Sequence, residues 1–246
     1  MRSVTTMDEK RLTKLLSYII MSDGGVYKAP NATNCQFIMN MTSDHEDFIN
    51  YIKGLLEQVT TATKYDRRDY NTDGYKRKPQ IRLESRAHPK FNVLRNRIYI
   101  DGYKGIDPHT IKLLDWESLA ILYMSDGSLK TTPAGTKGLI SPAYDITLNM
   151  KRLSYGDTLL LKRTLKDLLG LEWNVNRQNQ YYYLRLRTKD YRRFTNEIRR
   201  FILPSFEYKL INYPNDLPQQ PLGDDIVCSA SQDAEDSRND YPIGIS

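Results

Sequence analysis

Two aspartates occupy the same place in two copies of a short motif. Residues 16–24 read Leu-Ser-Tyr-Ile-Ile-Met-Ser-Asp-Gly, and residues 119–127 read Leu-Ala-Ile-Leu-Tyr-Met-Ser-Asp-Gly. Each copy is an apolar helical run followed by an aspartate, Asp23 or Asp126, and a glycine, which fits the left-handed position just past a helix end. Because a helix C-terminus carries partial negative charge, a carboxylate there is mildly unfavourable. The placement therefore calls for a chemical reason.

A divalent cation shared by the two carboxylates would supply that reason. If the two motif helices pack side by side, the small residues Ser22 and Ser125 let their ends approach, and the carboxylates would repel each other without a cation. Carboxylate oxygens suit a hard cation such as Mg²⁺. Such ions activate water and stabilise the leaving oxygen in phosphodiester hydrolysis. The alternative is two inert Asp-Gly turns, the ordinary interpretation of a single copy.

The elements around the motifs repeat in order. Each half is predicted to run α-β-β-α-β-β-α, with helices over about 8–22, 115–125 and 156–169 and alternating strands over 35–41 and 144–150. Ser43 is expected to cap the second helix. Residues 133–142 are interpreted as a loop. Asn149-Met150 matches Asn40-Met41, and Tyr208-Lys209 matches Tyr103-Lys104.

The prediction is an α+β fold made of two pseudo-symmetric αββαββα repeats. The first repeat covers residues 1–105 and the second covers 106–214. Residues 215–246 lack apolar periodicity and are expected to form an acidic, disordered tail.

One face of each predicted sheet is polar and suited to DNA. Arg, Gln, Asn and Glu read base edges in the major groove, and a β-ribbon fits that groove. Leu184-Arg185-Leu186 mirrors Ile81-Arg82-Leu83, which places Arg82 and Arg185 at matching positions. The alternative is an ordinary solvated sheet face. The predicted DNA-binding residues on the sheets are Gln36, Asn40, Arg67, Arg82, Glu84, Thr147, Asn149, Lys151, Arg185 and Arg187, those in turns are Lys76, Arg77, Lys78 and Arg177, and the short strands after the motifs add Lys28 and Lys130.

The charge of the chain favours a polyanionic partner. Residues 215–246 hold seven acidic residues and one basic residue, which leaves 35 Lys+Arg against 23 Asp+Glu in residues 1–214. A net charge of +12 over this part favours nucleic acid. Generic solubility, the alternative, requires no such excess of one sign.

Several other classes of protein are disfavoured. Two cysteines cannot form a four-cysteine zinc site or a disulfide framework, and three scattered histidines argue against a His-rich metal site. No apolar run approaches the length of a membrane span. The N-terminus lacks a hydrophobic signal region, so the expected location is intracellular, in the cytoplasm or in the organelle or host cell that carries the gene.

The repeated motif and element order resemble the LAGLIDADG homing endonucleases in their single-chain, two-repeat form. The resemblance covers about residues 8–210. The second motif is similar to that of the intron-encoded branch, as are His88-Pro89-Lys90-Phe91 and the segment from Phe194 to Pro204 followed by Tyr208-Lys209-Leu210. The motif departs from many members at its third position, where Tyr18 and Ile121 replace a small residue.

The resemblance implies a fold, an activity and a set of site residues. It implies sheets that form a saddle on DNA, and Asp23 and Asp126 sharing divalent metals at the scissile phosphates. It also implies basic residues around the metals: Arg199 in the second half, and Arg95 or Arg97 in the first. Asn40 and Asn149 are polar neighbours. The implied cofactor is Mg²⁺, with Mn²⁺ as a substitute.

The predicted function is site-specific double-strand DNA cleavage at a long, asymmetric target by a monomer. The alternative is a binding module on the same fold, either an RNA maturase with intron RNA as its partner or a non-cleaving DNA-binding regulator. Loss of a motif aspartate would favour that alternative, and both aspartates are present. An unrelated basic scaffold would leave the repeat unexplained.

Overall fold

The repeat is visible in the order of helices and strands. The computed structural model describes residues 7–67, 78–134, 141–150 and 152–211. In the first half the elements are α1 (Glu9–Met21), β1 (Gly25–Tyr27), β2 (Gln36–Thr42), α2 (Glu46–Leu56), β3 (Ala62–Arg67), β4 (Gln80–Ser85) and α3 (Pro89–Ile98). A short hairpin, β5 (Tyr99–Ile100) and β6 (Tyr103–Lys104), follows. In the second half they are α4 (Trp116–Asp126), β7 (Gly127–Ala134), β8 (Ser141–Leu148), α5 (Tyr155–Leu169), β9 (Trp173–Gln178), β10 (Tyr181–Leu186) and α6 (Tyr191–Arg199).

Each half builds one antiparallel four-stranded sheet of the same topology. The strand orders are β1-β2-β4-β3 and β7-β8-β10-β9. The predicted α+β class and the αββαββα order are therefore confirmed. The domain boundary near residue 105 agrees with this order and stays a prediction. The predicted tail, residues 215–246, lies outside the described residues.

Helices α1, α4 and α5 begin where short polar side chains hold their first backbone N–H groups. The Asp8 carboxylate accepts from the backbone N–H of Arg11 (3.2 Å) and the Asp115 carboxylate from that of Ser118 (2.9 Å). The Ser154 hydroxyl accepts from the backbone N–H of Asp157 at 3.0 Å. The predicted Ser43 cap is wrong, because Ser43 begins a 3₁₀ turn, Ser43–His45, that precedes α2.

The core lies between the sheets and their helices. Phe37 and Met39 of β2 and Leu83 of β4 are buried on one face of the first sheet, and Ile146, Leu148 and Leu184 are buried on the same face of the second. The alternation that predicted the strands thus corresponds to one covered face per sheet.

The second sheet extends further than the sequence indicates. β7 and β8 continue through Pro133 and Pro142, which face each other in the ladder, so the predicted loop over 133–142 is too long. Proline is tolerated there because β7 is an edge strand and β10 pairs with β8 only at Thr147 and Leu148.

Candidate active site

The two motif helices pack side by side and end together. The Ser22 hydroxyl donates to the Ser125 hydroxyl oxygen at 3.2 Å, which brings the C-terminal ends of α1 and α4 into contact. At the other ends Arg11 pairs with Glu117 at 2.7 Å, and Lys14 pairs with Asp115. The predicted close approach at the two serines is confirmed.

The motif glycines serve a different purpose from the predicted one. Gly127 has φ −82° and ψ 153°, and Gly24 is not among the glycines with positive φ, so neither ends its helix in the left-handed conformation. A Cβ on Gly127 would lie 2.0 Å from the Tyr123 ring, and one on Gly24 would lie 2.6 Å from the Phe37 ring. Glycine is required here for close packing, because the chain turns directly from helix into strand.

Asp23 and Asp126 line one cleft of about 490 Å³ at these helix ends. The other side chains of the cleft are Met21, Ser22, Ser125, Asn149, Met150, Arg152, Leu153 and Gln178. Asp23 is exposed to the cleft and Asp126 is half-buried, so their oxygens remain accessible to a ligand.

The protein around the cleft makes negative charge on these carboxylates unfavourable. Loss of hydration raises the pKa of Asp23, and the same effect, together with the negative charge of Asp23, raises the pKa of Asp126 to about 7. Lys104 and Lys209 act in the opposite direction on both groups. A bound cation would relieve the remaining repulsion.

Two buried lysines support the helix ends symmetrically. Lys104 Nζ donates to the carbonyl oxygens of Ser22 (2.6 Å) and Gly24 (2.5 Å) at the end of α1. Lys209 Nζ donates to the carbonyl oxygen of Met124 at 2.6 Å at the end of α4. Burial lowers the pKa of both lysines to about 8, and the positive charge of Arg152 adds to this at Lys104.

These lysines were not among the predicted site residues. The matching dipeptides Tyr103-Lys104 and Tyr208-Lys209 were the available signal in the sequence. The arginines predicted for this role have other contacts. The Arg95 guanidinium lies 5.5 Å from the centre of the Tyr99 ring, and Arg199 donates to the Ile211 carbonyl oxygen at 3.2 Å. Their roles at the metals stay predictions.

The cleft fits a cation that takes most of its ligands from outside the protein. Among the residues that the structure describes, no three His, Cys, Asp or Glu side chains cluster as metal ligands. Two adjacent carboxylates with repelling charges suit Mg²⁺, which commonly binds one or two carboxylates and completes its shell with water and phosphate oxygens. The donor set therefore fits a divalent ion that also contacts phosphate.

The polar sheet faces carry many of the predicted DNA-binding residues. On the first sheet Gln36, Asn40, Arg82 and Glu84 share the face opposite the buried residues, and Arg67 pairs with Gln80 at its end. On the second sheet Lys130, Thr147 and Arg185 share the corresponding face, and Lys28 is exposed after β1. Arg177 pairs with Tyr182 on the opposite face. The predicted residues Lys76, Arg77 and Lys151 lie outside the described residues.

The strand registers correct the predicted match between Arg82 and Arg185. Gly25 pairs with Ile38, and its counterpart Ser128 pairs with Thr147, which makes Ile38 and Thr147 equivalent. Ile38 pairs with Glu84, whereas Thr147 pairs with Arg185. Arg185 is therefore the equivalent of Glu84, and Arg82 is the equivalent of Tyr183. The similar tripeptides differ in register by two residues, a shift that keeps both arginines on the polar face.

Several basic residues in the described part of these sheets and beside them have an acidic neighbour. Arg82 pairs with Glu84 at 2.5 Å and Arg185 with Asp145 at 2.7 Å. Further out, Arg187 pairs with Glu172 at 2.8 Å and Lys78 with Asp44 at 2.6 Å. Asn149 donates to the Thr147 hydroxyl at 2.9 Å. These pairs fix the side chains in defined orientations over an otherwise open surface.

Comparison with known proteins identifies related sequences. The sequence profile of the LAGLIDADG DNA endonuclease family matches residues 16–194. An uncharacterized protein of Methanocaldococcus jannaschii, MJ1098, is 32% identical over 129 residues, which cover 52% of this chain and 47% of that protein. The chain thus spans about half the length of this relative.

Solved structures with a similar fold include two endonucleases bound to DNA. The homing endonuclease I-WcaI, bound to its DNA recognition sequence, matches with a TM-score of 0.67 and 21% identity over 82% of this chain and 87% of that chain. The LAGLIDADG meganuclease I-AabMI, bound to uncleaved DNA, matches with a TM-score of 0.51 and 10% identity over 78% and 85%. At these identities the likeness establishes the fold.

Proposed function

Because the chain belongs to the LAGLIDADG DNA endonuclease family, we propose that it is a site-specific endonuclease that hydrolyses both strands of double-stranded DNA. The single observation that carries the proposal is that Asp23 and Asp126 line one cleft where the two motif helices end side by side. The cofactor is Mg²⁺, with Mn²⁺ as a substitute.

The carboxylates of Asp23 and Asp126 would bind the metal, and Lys104 and Lys209 fix the ends of the helices that precede these aspartates. Bound at the carboxylates, a divalent ion supplies activation of water and neutralisation of charge at the phosphate. Lys104 and Lys209 fix the ends of α1 and α4 through carbonyl oxygens, and their positive charge stabilises the ionised carboxylates. Hydrolysis adds a water oxygen to phosphorus and breaks one P–O bond to a sugar oxygen, which takes up, in net, one proton of that water.

The sheets position the DNA over this cleft as a saddle. Side chains on the polar faces contact base edges, whereas basic residues in the turns contact phosphates. Because the two halves carry different side chains at equivalent positions, such as Glu84 and Arg185, the two half-sites differ in sequence. The target is therefore long and asymmetric, and one chain acts as a monomer.

Replacement of either aspartate tests the proposal. The purified protein with Mg²⁺ is incubated with a DNA library, and sequencing of the cut ends identifies the target. Asp23→Asn and Asp126→Asn should each abolish double-strand cleavage of that target, because an amide is neutral and a weaker metal ligand. Binding to the target without divalent metal should survive in both variants.

A matched control is Asp167→Asn, an exposed aspartate on α5, which should cleave at the wild-type rate. Cleavage at the wild-type rate by Asp23→Asn or Asp126→Asn would contradict the two-aspartate mechanism. A wild-type protein that binds DNA but cuts no member of the library would instead favour the non-cleaving alternatives, the DNA-binding regulator or the RNA maturase.

A further inference from the structure

Two exposed tyrosines occupy matching places in the two repeats. Tyr103 and Tyr208 each directly precede a buried lysine, Lys104 or Lys209, that donates to the end of a motif helix. The two tyrosines are 78% and 65% exposed. In the described part of the chain, neither hydroxyl takes part in a hydrogen bond. Because an exposed, unpaired hydroxyl does not hold the fold together, its presence in both repeats favours a role in binding.

Tyr208 lies against the first repeat, although it belongs to the second repeat in the sequence. Its ring is stacked near that of His45, with 6.2 Å between the ring centres and 21° between the ring planes. The pKa of Tyr208 is raised, chiefly by partial loss of hydration, while the charge of Lys78 lowers it and that of Asp44 raises it. Tyr208 is therefore a neighbour of Lys78, which lies two residues before β4.

The segment that carries Tyr208 is fixed to the first repeat by side chains at the start of α2. The Asp47 carboxylate accepts from the backbone N–H of Ser205 at 3.0 Å and from the Ser205 hydroxyl at 2.6 Å. The His45 ring stacks on the Phe206 ring with 4.1 Å between their centres. Tyr208 is thus held at a defined place beside the first half, while its own side chain stays open to solvent.

The hairpin that carries Tyr103 lies against the second repeat in the corresponding way. Tyr103 pairs with Ile100 in this hairpin. A Cβ added to Gly105 would lie 3.6 Å from the Ile100 side chain and 3.6 Å from the carboxylate of Asp157, which belongs to the first turn of α5. Helix α5 is the equivalent of α2 in the order of elements. Each tyrosine is therefore carried by a segment that packs on the other repeat.

Phosphate is the ligand that suits these two hydroxyls. Tyrosine is among the side chains that donate to phosphate oxygens of DNA, and such contacts fix the position of a protein without reading sequence. Lys78 adds positive charge beside Tyr208, and its ion pair with Asp44 is exposed and therefore weak. The strand after Lys78 carries Arg82 on its polar face. A phosphate at Tyr208 thus belongs to the half-site that the first sheet reads.

We infer that Tyr208 donates to a DNA phosphate in the half-site over the first sheet, and Tyr103 to a phosphate in the half-site over the second sheet. Each repeat then contacts the half-site that the other repeat reads, which couples the binding of the two half-sites. The inference rests on the proposed function, since it takes double-stranded DNA as the ligand.

Tyr208→Phe and Tyr103→Phe remove only the hydroxyls and test the inference. The probes are copies of the target in which single phosphates are replaced by neutral methylphosphonates, bound without divalent metal so that no strand is cut. Arg82→Ala and Arg185→Ala assign the half-sites by the base positions that they affect. Tyr208→Phe should bind the unmodified target on the order of tenfold more weakly, the scale of one hydrogen bond to a charged group. Neutralising one phosphate over the first sheet should weaken the wild type but cause this variant little further loss.

Each tyrosine variant is the matched control for the other. Tyr103→Phe should lose its sensitivity to a phosphate in the opposite half-site, over the second sheet. Neither variant should change base preference or the salt dependence of binding, because no charge is removed, whereas Lys78→Ala should reduce the salt dependence. Both variants should unfold at the wild-type temperature, since the hydroxyls are exposed.

The outcomes distinguish this inference from the proposed function. Wild-type affinity in either phenylalanine variant, or a loss of sensitivity in the half-site that the tyrosine's own repeat reads, would overturn the inference while leaving the endonuclease intact. A wild-type protein that binds members of the DNA library but cuts none would overturn the proposed function, and the same variants would then confirm or overturn the phosphate contacts on the bound DNA.

Discussion

Lys104 and Lys209 each contribute both to the fold and to the candidate active site. Each donates to carbonyl oxygens that a helix end leaves without partners, and each places a positive charge near the aspartates. Their burial makes the charged form less favourable, as the lowered pKa values show. The aspartates were predictable because a repeated local motif contains them. The lysines reach the site from distant segments, so only their matching dipeptides indicated them.

Adding a side chain at a motif glycine should destabilise the fold. Gly127→Ala should lower the free energy of unfolding by about 1–3 kcal/mol, because the new Cβ would overlap the Tyr123 ring and its carbonyl oxygen. Urea unfolding of the purified variant measures this.

A second glycine provides the matched control. A Cβ on Gly156, in the first turn of α5, would meet its nearest atom, the Ser154 hydroxyl oxygen, at 3.8 Å. Gly156→Ala should therefore be neutral or slightly stabilising, since alanine favours a helix. Equal destabilisation by both substitutions would contradict the steric role of Gly127.

The local sequence pattern predicts where the strands lie and which of their faces is buried. It does not predict which residues of two neighbouring strands pair. The alternation of Phe37 and Met39 with polar neighbours sufficed to place β2, because face and period are local properties. Register depends on which residues oppose each other across strands distant in sequence. Arg82 and Arg185 therefore look equivalent in the sequence, although the structure pairs them differently.

That register difference changes what the two arginines should read. Arg82→Ala and Arg185→Ala should each relax base preference by about 1–3 kcal/mol in one half-site only. Arg82 lies opposite Asn40, whereas Arg185 lies opposite Thr147, two residues further from the motif end. Two strand residues span about 7 Å, close to two base-pair steps. The affected positions should therefore differ by about two base pairs in distance from the centre.

A binding profile over single-base target variants at two salt concentrations measures this effect. Lys78→Ala is the comparison, since Lys78 is exposed two residues before β4 and suits a phosphate contact. Its loss should weaken all variants alike and reduce the salt dependence of binding. An Arg82→Ala protein that weakens every target equally would show that this strand does not read bases.

For the whole molecule, the distribution of charge separates the DNA-binding part from the C-terminal segment. Deleting residues 215–246 raises the formal net charge from +6 to +12. We expect the shortened protein to unfold at the temperature of the full chain, because the segment lacks a periodic apolar face. Its DNA affinity should equal or exceed that of the full chain, since negative charge has been removed.

Thermal unfolding and DNA titration at low salt check both expectations. The comparison protein is the full chain with the same tag and buffer. A shortened protein that melts well below the full chain would show that the segment contributes to the fold. No helix in the described part of the chain is long and apolar enough to cross a membrane.

The charged contacts between the motif helices are not symmetric. Lys14 and Glu117 each lie nine residues before their motif aspartate, so they are equivalent positions with opposite charge. In the native pairing Arg11 meets Glu117. In a symmetric pair built from two first halves, Arg11 would instead meet the second Lys14, and like charges would face each other across the seam. The two halves therefore differ at this contact, and two identical first halves would lose the attraction that Arg11 and Glu117 provide.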